Sequence, residues 1–89
     1  MLLSQGARVA DAHSPEHLAL GRALRSFRKE RGWTLEELGH RMGAVNPRYV
    51  SSCERGEENM TWASLLRVCK ALEITPRELM ERYEGAPGA

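Results

Sequence analysis

The feature that most limits what this chain can fold into is its helix punctuation, which recurs at short intervals from Ser14 onward. Ser14-Pro15-Glu16 offers a hydroxyl at the N-cap, a proline at the first helical position and an acid in the first turn. Thr34 and Glu37 have the spacing of a capping box, as do Thr75 and Glu78 with Pro76 between them. Asn46-Pro47 repeats the cap-then-proline start, and Thr61 supplies a further cap. Starts this close together leave room only for short helices. Between them the apolar residues recur at helical spacing, and no run alternates with the period of two that a strand needs. The sequence predicts an all-α domain of five helices.

Stripes and stops refine that expectation. Leu20, Leu24, Phe27 and Arg28 share one side of the first helix, Arg22, Arg25 and Lys29 fall mostly outside it, and Gly32 ends it as a C-cap. The second helix is expected to run about nine residues, with Leu35, Leu38 and Met42 on one face. Gly43-Ala44-Val45 breaks it. The third passes through Tyr49, Val50 and Cys53 to a stop at Gly56, and Glu57-Glu58-Asn59-Met60 reads as a loop. The fourth offers Leu65, Leu66, Val68, Cys69 and Leu72 as a broad apolar face, and the fifth carries Leu79, Met80 and Tyr83. Residues 1–13 show no period and read as an N-terminal arm, 14–84 as the domain, and 85–89 as a flexible tail starting around Glu84-Gly85. Trp33 and Trp62 are expected at the core or its edge, since neither is interleaved with basic residues as a base-stacking platform would be.

With 89 residues, the chain supports one core and gains from self-association. No apolar run approaches the roughly 18 residues that span a bilayer, and the start lacks the basic and apolar regions of a signal peptide. A cytoplasmic protein with no membrane partner is expected. Cys53 and Cys69 form no C-x-x-C pair and have no histidine at ligand spacing, so they read as free thiols in apolar settings, with no metal and no cofactor. His13, His17 and His40 lack a carboxylate or cysteine at useful spacing. The acids of Glu36-Glu37 and Glu57-Glu58 diverge on a helix, and no glycine-rich phosphate loop exists. An enzyme is not expected.

The net charge of +1 argues against a nucleic-acid partner until it is divided along the chain. From His17 to Gly56 there are eight Lys/Arg against four Asp/Glu, a net of +4, whereas Glu57 to Ala89 carries four against six, a net of −2. The positive charge is concentrated in the first three helices.

Three stretches, in order, carry a resemblance: L-G-R-A-L-R-S-F-R-K-E-R-G-W-T-L-E-E-L, then V-N-P-R-Y-V-S-S-C-E-R-G, then L-L-R-V-C-K-A-L-E-I-T-P-R-E-L-M. Together they resemble the phage-repressor (Cro/CI-type, xenobiotic-response-element) helix-turn-helix family. Y-V-S-S-C-E-R-G-E-E-N-M-T is similar to the controller proteins of restriction-modification systems. Two departures stand out. The turn Met42 to Asn46 is one residue longer than the commonest pattern, and Glu57-Glu58 replaces what is often a basic residue near phosphate.

The resemblance implies a lambda-repressor-like fold and a dimeric, sequence-specific regulator of transcription that binds double-stranded DNA. Its third helix would enter the major groove. By position in the motif, Pro47, Arg48, Ser51 and Ser52 would face base edges. Arg48 is the leading candidate because a guanidinium matches both acceptors of guanine, although a surface arginine touching only phosphate is the plainer reading. Thr34, Asn46, Tyr49 and Arg55 are the phosphate candidates; Thr34 also serves as a simple cap, and Tyr49 also suits the core edge. Arg28 and Glu54 would form a partly dehydrated ion pair that orients the third helix, or else two exposed charges of little consequence. Met80 and Tyr83, beside a core Leu79, would form a dimer face or simply close the core. The alternative function keeps the fold and changes the partner: an antitoxin or adaptor that binds a protein, favoured by Glu57-Glu58 and the near-neutral total charge.

Overall fold

The computed structural model describes residues 13–85, so the arm expected over 1–13 lies outside the described residues except for His13, and the tail does beyond Gly85. Five helices follow in order: α1 (Pro15–Glu30), α2 (Leu35–Arg41), α3 (Pro47–Glu54), α4 (Trp62–Leu72) and α5 (Pro76–Gly85). Among the described residues there is no strand.

The caps make the helices begin where they do. Ser14 Oγ accepts from the His17 N–H, Thr34 Oγ1 from Glu37 N–H at 3.0 Å and Thr61 Oγ1 from Ser64 N–H at 3.0 Å. Thr75 and Glu78 complete a reciprocal capping box, with bonds of 2.7 and 3.1 Å. At Thr34 only half of the box forms, because the Glu37 carboxylate pairs instead with Arg41 at 2.7 Å. α2 is also shorter than expected: Thr34 and Met42 are its caps, leaving seven helical residues. α5 runs through Glu84 to Gly85, past the expected start of the tail.

One core holds the five together. Leu24, Leu38, Val50, Leu72 and Leu79, one from each helix, are at most 2% exposed. Burying each stabilises the fold by about 1.5–3 kcal/mol relative to solvent exposure. Cys53 and Cys69 are free, buried thiols in the same cluster. Burial pushes the Cys53 thiol up to about 11, and burial also raises Cys69.

Two expected core residues on α4 are not core. Trp62 is 63% exposed and Leu66 is 39% exposed. Val68, Cys69 and Leu72 form the buried stripe, and Leu66 points about 100° away from its half-buried neighbour Leu65. Trp62 is near the edge of the stripe by angle, but as the first residue of α4 it does not pack against the core. Trp33 does pack at the core edge, beneath Arg41, whose guanidinium lies 4.0 Å from the ring centroid.

Glycines set how closely the helices meet. A Cβ on Gly21 would lie 2.7 Å from the Cys53 carbonyl oxygen, so only glycine lets α1 press against the end of α3. Gly39 does the same for the turn after α2: its missing side chain admits the Val45 carbonyl, and the Val45 N–H returns to Gly39 O at 2.8 Å. Gly43 and Ala44, both at positive φ (98° and 65°), carry the chain from α2 to the Asn46 cap of α3.

Candidate nucleic-acid interface

α3 is anchored on its inner side and open on its outer side. Val50, Cys53 and Glu54 are buried, Arg48 is exposed, and Pro47, Ser51 and Ser52 are half-buried. Asn46 caps the helix, its Oδ1 accepting from Arg48 N–H at 2.8 Å. That bond commits the Asn46 side chain to the backbone and leaves its amide donors over. Among the described residues no carboxylate pairs with the Arg48 guanidinium. Tyr49 packs its ring against the core, and burial raises its hydroxyl pKa above the usual value.

The inner anchor is an arginine fork. Arg28 Nε donates to Glu54 Oε2 at 2.7 Å and Nη2 to Glu54 Oε1 at 2.9 Å. Nη1 donates to the Trp33 carbonyl at 2.8 Å, so one guanidinium joins α1, the start of the α2 segment and the end of α3. Both side chains are under a tenth exposed. The bonds to Glu54 raise the Arg28 pKa, while burial acts in the opposite direction. The charged state is thereby kept in a place where a lone charge would be costly.

A second fork lies just outside. Arg55, the C-cap of α3, donates from Nε and Nη2 to the two carboxylate oxygens of Glu57, each at 2.9 Å, and from Nη1 to Ser51 Oγ. The arrangement depends on Gly56. At φ 75° it turns the chain back so that Glu57 N–H reaches Ser52 O at 2.9 Å, and its bare Cα faces Leu18 of α1. Arg55 holds the Glu57 carboxyl below the usual carboxylate range, and Glu57 raises Arg55.

Arg25, Arg28, Leu35, Ser51, Glu54 and Arg55 line one depression where α1, the start of α2 and the outer side of α3 converge. It brings together Ser51, Arg55 and the N-terminus of α2, which Thr34 caps. Arg25 and the Arg55–Glu57 link were missed in the sequence. Arg25 was legible only as a charge off the apolar stripe, and Glu57 only as half of an acidic pair.

Met80 and Tyr83 sit elsewhere. With Glu16, His17, Leu20, Asn59 and Met60 they line a mostly apolar groove between the start of α1, the loop after α3, and α5. Met80 is 39% exposed, Tyr83 packs partly on the core, and Leu79 is fully inside. Among the described residues no cluster of three or more His, Cys, Asp or Glu has metal-binding geometry, and no helix is long and apolar enough to cross a membrane.

Comparison with known proteins agrees with this architecture. Residues 19–82 match the helix-turn-helix domain family. The chain is 34% identical over 68 residues to y4dJ, an uncharacterized HTH-type transcriptional regulator of Sinorhizobium fredii, covering 76% of this chain and 87% of that one. The clp gene regulator ClgR of Corynebacterium glutamicum superposes with a TM-score of 0.74 at 37% identity, covering 85% of this chain and 95% of the other. The restriction-modification controller protein C.Esp1396I, solved as a tetramer in complex with its natural 35 base-pair operator, gives a TM-score of 0.76 at 26% identity over 82% and 95% of the two chains. The chain belongs to the helix-turn-helix family of transcriptional regulators.

Proposed function

We propose that this protein binds double-stranded DNA sequence-specifically as a dimer, with α3 in the major groove and no catalytic activity. The observation that carries this reading is the outer side of α3, where an exposed and unpaired Arg48 stands beside Ser51 and Ser52 on a helix fixed from behind by the Arg28–Glu54 fork. A helix held this way has little backbone freedom to lose on binding and presents its side chains at fixed positions, which favours base readout over loose phosphate contact. The similar C.Esp1396I, bound to its operator as a tetramer, supports DNA as the partner and self-association as the mode. Thr34 at the start of α2 and Arg55 at the end of α3 are assigned to phosphate, with Arg25 added to them. Met80 and Tyr83 are assigned to the dimer contact, their groove being apolar and open.

Selection of duplexes from a random pool tests this. The expected product is a two-fold symmetric site with half-sites about one helical turn, roughly 34 Å, apart. Recovery of no motif above background would overturn the reading. A second reading, a protein partner on the same fold, has one specific observation in its favour: Trp62 and Leu66 are exposed four residues apart on α4. Under that reading the pool yields nothing, and Trp62→Ser abolishes capture of the partner.

A further inference from the structure

The Arg55–Glu57 fork does more than cancel two charges. Arg55 has five N–H donors. The Nε and Nη2 donors facing Glu57 are taken by its carboxylate, and one on Nη1 is taken by Ser51 Oγ. What remains is one N–H on Nη1 and one on Nη2, open to phosphate oxygens or base acceptors. Free arginines sample many rotamers, and this one is held from two sides. The effect on Ser51 is equally definite. A serine hydroxyl ordinarily donates or accepts, which makes it a poor reader of bases. Here one of its two lone pairs already accepts from the Arg55 guanidinium, whose positive charge repels a second donor, so the O–H is favoured as the group that meets a base. In the major groove the acceptors it could meet are guanine N7 and O6, adenine N7 and thymine O4. Both groups lie in the depression shared with Arg25 and the start of α2.

We propose that Glu57, although acidic, is a positioning residue for DNA recognition: it fixes Arg55, and through Arg55 sets Ser51 as a hydrogen-bond donor to one base position in each half-site. This rests on the reading that α3 meets DNA. Glu57 sacrifices net positive charge, and with it non-specific attraction, for orientation. The held-down carboxyl pKa of Glu57 agrees with a carboxylate that stays ionised in this role.

The test compares wild type, Glu57→Gln, Ser51→Ala and the double variant on the selected duplex, on single-base variants of it and on a scrambled duplex, each across a salt series. Removing a negative charge from each protomer should tighten binding to the scrambled duplex in Glu57→Gln and steepen its salt slope by up to about 0.9 per protomer. In the same variant, preference at one base position should fall about fivefold. Ser51→Ala should lose preference at that same position, and the double variant should lose no more than Ser51→Ala alone. Uniform tightening with every base preference intact would make Glu57 a bystander charge and overturn the proposal. Additive losses, or losses at different positions, would also overturn it. If wild type discriminates between the selected and scrambled duplexes, those failures concern Glu57 alone. If wild type discriminates nothing, the DNA reading falls and this inference falls with it.

Discussion

Two arginine–glutamate forks of the same geometry stand at the two ends of one question. Arg28–Glu54 and Arg55–Glu57 both use Nε and Nη2 against two carboxylate oxygens, at 2.7 and 2.9 Å in the first and 2.9 Å twice in the second. They differ in surroundings. The first pair is 9% and 6% exposed in its side chains, the second 57% and 35%. Identical hydrogen bonds therefore have opposite uses. Inside, the pair cannot be broken without stranding a charge, so it fixes where α3 stands relative to α1. Outside, water substitutes for either partner at little cost, so the pair contributes orientation and not stability.

The largest effect expected from this contrast is at Arg28. Arg28→Met leaves Glu54 buried and unpaired, and equilibrium unfolding in urea should show a loss of about 3–5 kcal/mol. Arg28→Met with Glu54→Leu should recover most of it, because two apolar side chains strand no charge. Failure of the double variant to recover would mean that the Arg28 bond to the Trp33 carbonyl matters more than the pair.

Alkaline titration probes the same buried end at the neighbouring residue. Burial raises the Cys53 thiol from 9.0 to about 11. The folded state therefore keeps it neutral where the unfolded chain ionises it. Its contribution is complete below pH 9 and is lost as pH rises through 11, by about 2–3 kcal/mol. Cys53→Ala should flatten that part of the stability profile.

The smallest effect belongs to the exposed fork. Arg55→Ala and Glu57→Gln should leave the thermal midpoint where it is, at low and high salt alike. A clear drop in either would show the outer pair to be structural after all.

The same division explains what could be read from the sequence. Helix starts were legible because a cap, a proline and a first-turn acid act within four residues, and each predicted start at Ser14, Thr34, Asn46, Thr61 and Thr75 begins a helix. Core positions on the inner stripes were legible for the same local reason. Trp62 lies near the buried stripe by angle yet is exposed, because period gives the direction of a side chain and not how far the rest of the molecule extends beneath it; Leu66 is exposed because the expected apolar face is broader than the stripe that is buried. Gly21 and Gly39 carried no local sign of the carbonyls they admit, which come from residues distant in sequence or across a turn. The buried fork was accessible only through resemblance, since Arg28 and Glu54 are 26 residues apart. The outer fork, two residues apart, has no periodic signature and forms only because the left-handed turn at Gly56 folds Glu57 back onto Arg55.

The central claim is that α3 reads bases, with Arg48 foremost. Its most direct test is the ratio of affinities for the selected and scrambled duplexes, at one fixed salt concentration, in wild type and Arg48→Ala. Arg48 is exposed, so the variant should fold as wild type does. The ratio is expected to fall about 30-fold or more, corresponding to about 1–3 kcal/mol of lost discrimination in each of the two half-sites. A ratio left unchanged while both affinities drop together would contradict it, reducing Arg48 to a phosphate contact and α3 to a helix that touches DNA without reading it.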